Sequence, residues 1–477
     1  MHNVTKTGKV VPIGASIPLA GLLASLSRAL DLTEGEVLGH SIRSCWIGMT
    51  LGRALNLPAD QQAELYYALL LKDAGCSANA HETSSWFGTD DRAAKHALKT
   101  VDWSRKTQAV RYALSQAKRG GNPWERLQQI VQLGKRGPEE VSRELVAMRC
   151  TRGADVVRRL GWVTLAPDAV LTLDEHWDGS GQPQGLSGPQ IPLLDRILAL
   201  AQTAEIFWNR HGPAGSQEVV RKRSGTWFDP ELASTFLTLS AGAQYWQDLK
   251  NLDGLQAITA LDPAPKSIPL SSLDPLLDIA RTFGEVVDAK SPWTATHSVR
   301  TAQVAQILAK TLGWSVRQQQ ETLLAGFFHD LGKLGVSNQI LDKAGPLTPA
   351  EREAVSAHPQ LTYEILEPIE PLRALATAAA SHHERLDGSG YHRRLQGENI
   401  PEIGQVVAVA DVYDALAHAR PYRRKLSTEE VWSIMSPESG SRLSSEAMEA
   451  LQWVLEQGGG AFEEGPESAA DPGFMPK

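Results

Sequence analysis

This chain spells out one pattern twice. VLGHSIRS at residues 37–44 aligns with TATHSVRT at 294–301, and ALLLKDAGCS at 68–77 aligns with AGFFHDLGKL at 325–334, both at one offset. EHWDGSGQPQGLSGPQIP at 175–192 then aligns with ERLDGSGYHRRLQGENIP at 384–401 at a second offset. Such a repeat constrains the fold more than local propensity does, because both copies must bury the same apolar faces in the same order. The change of offset puts an insertion of about 48 residues into the first copy, between roughly Ser77 and Arg149.

The repeated unit reads as helices punctuated by Gly and Pro, without sustained strand alternation. Leu276, Ile279, Ala280, Phe283 and Val287 fall at helical spacing, as do Val304, Ile307, Leu308 and Leu312. A third helix, Leu323 to Leu331, carries Leu324, Phe327, Phe328 and Leu331. The expected fold is all-α, two tandem helical bundles, the first degenerate and carrying the helical insertion at about 78–148. The expected boundaries are 1–250 for the first domain, 251–273 for a linker marked by Pro263, Pro265 and Pro269, 274–457 for the second domain, and 458–477 for a disordered tail. The insertion holds Lys95, Lys99, Arg105, Lys106, Lys118 and Arg119 with Trp86, Trp103 and Trp124. We favour a solvated face with core tryptophans over nucleic-acid contact.

At 477 residues the chain is long enough for two buried cores, and 42% hydrophobic with 21% charged residues is ordinary for a globular protein. A net charge of -8 supplies no overall attraction to DNA, RNA or anionic membrane, so a phosphate-bearing substrate needs a locally positive site. Cys45, Cys76 and Cys150 form no CxxC pair, which points to neither a disulfide framework nor a cysteine zinc site. The apolar stretch from Ile13 to Leu26 is broken by Gly14, Pro18 and Gly21, and no run of about 18 apolar residues exists to cross a bilayer. The expectation is a cytoplasmic protein without membrane, DNA or RNA partners.

The second copy concentrates metal-binding side chains: His297, the pair His329 and Asp330, His358, the pair His382 and His383, and Asp411. One histidine in a helical domain is more often a packed or surface residue than a ligand. Five with two carboxylates are a different matter, because imidazole and carboxylate together suit Fe, Mn or Zn in a hydrolytic site. An Asp beside a His on one helix can set its two oxygens between two ions, and Lys333 follows one turn later, within reach of a phosphate oxygen.

HDLGK at 329–333, HHERLDGSGY at 382–391, ADVYDAL at 410–416 and RPYR at 420–423 together closely resemble the HD-GYP family of HD-domain phosphohydrolases. The resemblance covers roughly residues 274–457. It implies an all-helical domain, a cluster of iron or manganese ions, and hydrolysis of cyclic di-GMP or a related cyclic dinucleotide by attack of a hydroxide bridging the ions, the end product being either linear pGpG or, after a second cleavage, GMP. Carried over residue by residue, it makes His297, His329, Asp330, His358, His382, His383 and Asp411 the metal ligands, with Asp330 bridging. Lys333, Tyr391, Arg420 and Arg423 would face the substrate, and Asp330 and Lys333 would be the catalytic pair. Glu384 and Asp387 either orient ligand histidines from behind or shape the turn at Gly388–Gly390.

Two departures stand out. His392 occupies the position of the family's naming proline, which frees a backbone φ. Trp293 stands where members with three ions carry Glu, so two ions are expected. The first copy keeps His40 and Asp73 but has Lys72, Cys76, Arg149, Leu173, Asp174 and Gln202 at the other positions, too few ligands for two ions. Lys72 and Arg149 are expected to pair with Asp73 and Asp174 in place of metal. We read this copy as a structural pseudo-domain in preference to a metal-free nucleotide sensor. It remains the candidate route to a homodimer or signalling partner. The competing functions are an HD-type hydrolase of another nucleotide and a non-hydrolysing cyclic-dinucleotide-binding protein.

Overall fold

The computed structural model describes residues 10–101, 106–118, 122–161, 164–252, 254–420 and 423–457. The first half runs β1 (Ser16–Pro18), α1 (Leu19–Thr33), α2 (His40–Ala54), α3 (Ala59–Leu71), α4 (Ala80–Phe87), α5 (Asp91–Leu98), α6 (Lys106–Gln116), α7 (Pro123–Arg136), α8 (Pro138–Leu160), α9 (Ala166–Leu171), α10 (Leu193–Arg223), α11 (Pro230–Leu239), α12 (Ala243–Lys250) and α13 (Gly254–Thr259). The second runs β2 (Ser267–Pro269), α14 (Asp274–Asp288), α15 (His297–Thr311), α16 (Val316–Phe328), α17 (Asn338–Leu341), α18 (Pro349–Ser356), α19 (His358–Leu366), α20 (Arg373–Ala379), α21 (Glu402–Ala417), α22 (Thr428–Met435) and α23 (Ser445–Glu456). Among the described residues the fold is all-helical apart from one strand pair, and no described helix is long and apolar enough to cross a membrane. The tail at 458–477 lies outside the described residues.

One continuous apolar core spans both halves, from Leu22 and Leu26 on α1 to Leu324 and Phe328 on α16. In the second half α15 packs between α16 and α21. Close approach of α15 and α16 depends on Gly326, where a Cβ would lie 2.5 Å from the Cα of Ala302. The insertion is helical, with a separate small core of Phe87, Tyr112, Leu133, Val141 and Leu145. It has no loop boundary at its far end, because α8 runs without interruption past Arg149 to Leu160.

The stretch read as a linker is instead packed structure. Ile258, Ile268, Leu270 and Leu273 are buried. Ser267–Pro269 pairs antiparallel with Ser16–Pro18, Ile17 opposite Ile268. The tetrapeptide SIPL occurs at both 16–19 and 267–270, so each half contributes the same short strand to the pair. The three prolines suggested a tether, but edge pairing in a two-stranded ribbon tolerates proline and the apolar residues between them find a core.

The halves also meet through polar contacts. Ser25 on α1 donates to the carbonyl of Ile365, and Arg28 reaches that of Glu364 at 3.3 Å. Asp91, at the start of α5, binds Lys290 Nζ at 3.2 Å and the Asn338 amide at 2.8 Å. All three of these residues are buried.

Candidate metal centre

The helix expected to run to Leu331 ends at Phe328, with His329 as its C-cap and Asp330 opening a 3-10 turn over Leu331–Gly335. The HD pair therefore sits at a helix end and not on one helical face. Gly332 explains the position of that turn: a Cβ there would lie 2.0 Å from the carbonyl oxygen of His358. The bare backbone lets the turn rest on the N-terminus of α19. Thr362 ties the two together, accepting from the Gly332 amide and donating to the His329 carbonyl, both at 3.0 Å.

Around Asp330 the ligand atoms fall into two sets. Its Oδ2 lies 3.2 Å from His329 Nε2 and 3.5 Å from His297 Nε2; its Oδ1 lies 3.3 Å from His358 Nε2 and 3.7 Å from His382 Nε2. Asp411 closes the first set, with Oδ1 3.2 Å from His297 Nε2, and its Oδ2 lies 4.0 Å from His383 Nδ1. The three histidines His358, His382 and His383 offer nitrogens within 4.8 Å of one another, as do the donor atoms of His297, His329 and Asp330. All seven residues expected as ligands are thus brought together.

These atoms fit metal ions. Nε2 of His297, Nε2 of His329 and Oδ1 of Asp330 are buried without a hydrogen-bond partner. The second set makes a stronger case. His358 Nδ1 is 2.7 Å from the carbonyl of Val355 and His382 Nδ1 is 2.8 Å from that of Ala379, so each imidazole donates its proton outward. Their Nε2 lone pairs then face each other at 3.0 Å, a repulsive arrangement that a shared cation resolves. His329 follows the same rule, with Nδ1 2.6 Å from the carbonyl of Gly326.

The sequence reading missed the carboxylate behind His297. Asp414 Oδ2 accepts from His297 Nδ1 at 2.6 Å, and Arg300 Nε holds Asp414 Oδ1 at 2.6 Å. The spacing of Asp414 three residues after Asp411 on α21 was the available signal, since i and i+3 share a helix face. Electrostatics follow from these neighbours. Burial disfavours charge on every group here; it holds His358 below its ordinary value, and with the neighbouring imidazoles it drives His382 and His383 well below. For Asp330 and Asp411 burial is overcome by the surrounding histidines, and both stay well below the usual carboxylate range. Neutral imidazoles at His358, His382 and His383 beside ionised Asp330 and Asp411 are the protonation states that ligate metal.

A cavity of about 630 Å³ opens onto the centre, lined by His297, Asp330, His383 and Asp411 and by the cations Lys333 and Arg420. Lys333 Nζ contacts the Asp330 carboxylate. Arg423 does not face this cavity: its guanidinium donates to the carbonyls of Ala415, Leu416, His418 and Arg424. It caps the end of α21, which leaves last-turn carbonyls unpaired and attracts a cation. Tyr391 packs its ring on His383, centroids 4.8 Å apart, outside the cavity lining among the described residues.

Glu384 and Asp387 do not stand behind ligand histidines. Glu384 accepts from the amides of Arg393 at 2.7 Å and Leu395 at 2.9 Å, and Asp387 from Ser389 N at 2.8 Å and Arg442 Nε at 3.3 Å. Both shape the loop. Their role was ambiguous in sequence because a carboxylate next to two histidines fits either use.

The first half keeps the frame and fills it differently. Glu205 engages His40 Nδ1 and Arg43 Nε as Asp414 engages His297 and Arg300. A Cβ on Gly75 would lie 1.9 Å from the Arg149 carbonyl, as one on Gly332 would from that of His358. Lys72 Nζ lies 2.9 Å from His40 Nε2 and contacts Asp73, and Arg149 contacts Asp174. Glu34, Asp73 and Cys76 also cluster here, but Lys72 neutralises Asp73 and Lys99 lies 3.0 Å from Glu34, so this group does not suit a metal ion.

Comparison with known proteins agrees with this geometry. The model of the HD domain family matches residues 89–232 and 276–446. A 3'3'-cGAMP-specific phosphodiesterase of Vibrio cholerae is 38% identical over 441 residues, 92% of this chain and 95% of the relative. A cyclic di-GMP phosphodiesterase of Thermotoga maritima is 37% identical over 180 residues, 37% of this chain and 48% of the relative. The crystal structure of a cyclic GMP-AMP specific phosphodiesterase from V. cholerae superposes with a TM-score of 0.64 at 34% identity, covering 93% of this chain and 98% of that one. With its family matched over more than half its length, the chain belongs to the HD domain family, as an HD-GYP-type hydrolase.

Proposed function

We propose that this protein is a metal-dependent phosphodiesterase acting on a cyclic dinucleotide, with the chemistry confined to its second half and the first half a degenerate copy. The observation that carries this reading is the two-sided carboxylate of Asp330, one oxygen toward His297 and His329 and the other toward His358 and His382. That division suits two divalent ions, and the mixed imidazole and carboxylate donors suit iron or manganese. Bound there, such ions supply Lewis-acid stabilisation and a water activated near neutral pH. The chain's own residues do the rest. Asp414 orients His297, Lys333 and Arg420 give an acidic protein a local positive surface for phosphate, and a cavity of about 630 Å³ is of the size that holds a nucleotide-scale ligand.

The relative matched along nearly its whole length carries the name of a 3'3'-cGAMP enzyme, and the shorter matches include cyclic di-GMP enzymes. We therefore widen the expected substrate from cyclic di-GMP to the hybrid cyclic dinucleotide and place 3'3'-cGAMP first. A nucleotide messenger is met in the cytoplasm, where we propose the enzyme works. The test is turnover of both dinucleotides by protein purified without oxygen and supplied with Fe(II) or Mn(II), beside an Asp330→Ala control. Hydrolysis lost in the control supports the reading, and the ratio of rates assigns the substrate. Absence of hydrolysis of either one by protein holding two ions per chain overturns it.

A further inference from the structure

A second cavity, of about 170 Å³, lies between the insertion and the end of α1, far in sequence from every candidate metal ligand of the second half. Phe87, Tyr112, Leu133 and Leu145 line its walls, and Val110 and Leu114, each close to half exposed, line its mouth. Its floor is polar. Asn79 gives Nδ2 to the carbonyl of Leu145 at 3.0 Å and is left with Oδ1 unpartnered. Glu34 Oε2 lies 3.0 Å from Lys99 Nζ, an ion pair without hydrogen-bond geometry, and its Oε1, 4.0 Å from Lys95, has no hydrogen bond. Asn79 is 6% and Glu34 2% exposed.

Buried acceptors without donors are rare in native proteins and mark the place of a missing partner. The partner's chemistry is constrained on three sides. The charges of the lining cations Lys95, Lys99 and Arg149 are already matched by Glu34, by Glu36, which lies 3.9 Å from Lys99, and by Asp174, which Arg149 contacts, so the polar end of a guest is neutral. Two acceptors call for an N–H or O–H. The apolar walls and the volume suit one small ring system, since an apolar cavity of about 150 Å³ holds benzene. We infer that this cavity is a binding site for a small, neutral, mostly apolar ring compound that donates a hydrogen bond to Glu34 and Asn79. Its floor includes Lys95 on α5, the helix whose first residue, Asp91, contacts Lys290 and Asn338 of the second half.

The experiment is calorimetric titration of the full-length protein with indole and with 1-methylindole, which has the same ring and no donor. Indole is expected to bind at one equivalent per chain with a Kd on the order of 100 µM, and 1-methylindole at least fivefold more weakly. Leu145→Trp, which fills the cavity, is expected to abolish indole binding while keeping the helical circular dichroism of the parent. Absence of saturable indole binding, equal affinity for the two probes, or undiminished binding to a folded Leu145→Trp protein overturns the assignment. The two-probe comparison uses the unmodified chain, so it stands even if the substitution prevents folding.

Discussion

The Nζ atom of Lys72 lies 2.9 Å from Nε2 of His40 and contacts the carboxylate of Asp73, so an ammonium bridges the histidine and aspartate whose second-half counterparts, His297 and Asp330, face each other at 3.5 Å. All three residues are buried. Replacing Lys72 by Met removes the cation in direct contact with Asp73 and leaves its buried charge less compensated. We expect a loss of about 3–5 kcal/mol, read as a lower urea midpoint, with ion binding by the folded protein retained. An unchanged midpoint would show that the pair is idle.

Asp414 touches no expected ion position, yet it fixes the tautomer and angle of His297. Asp414→Asn is expected to weaken ion binding or turnover about 10–100-fold, with the helical signal intact. Ion content after dialysis, measured beside kcat and KM, checks this; full retention of both would reduce Asp414 to a structural group.

Arg420 and Arg423 separate cleanly. Arg420 lines the cavity, whereas Arg423 is spent on backbone carbonyls. Arg420→Ala should raise KM by about tenfold without lowering Tm. Arg423→Ala should lower Tm and leave KM within about threefold. Steady-state kinetics and thermal melts on the two variants, run together, would expose an inverted assignment.

Asp91 joins the halves through Lys290 and Asn338, and Lys290 also lines the cavity over the metal centre. Burial, the largest influence on Lys290, holds its ammonium below the ordinary lysine value, and Asp91 works against that effect. Asp91→Ala strands this buried cation and is expected to cost about 3–5 kcal/mol, with KM raised as the cavity wall loosens. Pairing Asp91→Leu with Lys290→Met should recover part of the stability; a double variant no better than the single one would contradict the coupling.

Ion uptake should depend on pH through His297. Burial disfavours its cation, but Asp411 and Asp414 overcome this and lift it to about 9. Because the folded value exceeds the ordinary 6.5, these pairs give the ion-free protein stability that is full below about 6.5 and lost as pH rises through about 9. An ion on Nε2 must displace that proton, so affinity for Mn(II) should rise about tenfold per pH unit between 7 and 9 and level off above. Calorimetry in buffers of different ionisation enthalpy counts the released proton, and a flat profile would argue that His297 binds no ion.

The cluster that the structure brings together was legible in the sequence because metal chemistry restricts residue type: His297, His329, Asp330, His358, His382, His383 and Asp411 could be picked out as candidate ligands without knowing where any helix pointed. The all-helical fold followed from apolar spacing, Gly and Pro punctuation and the lack of strand alternation, and the proposal of a degenerate first half rests on Lys72 and Arg149 standing at the equivalents of candidate ligand positions. Tertiary structure decided what depends on which backbone groups lack partners. Arg423 is drawn to the carbonyls at the end of α21, Glu384 to the amides of Arg393 and Leu395, and the Pro-marked stretch before α14 to the strand at Ser16–Pro18. A charged side chain in sequence carries no record of whether it will meet a substrate or an unpaired peptide group, because that choice is made by packing between segments far apart in the chain.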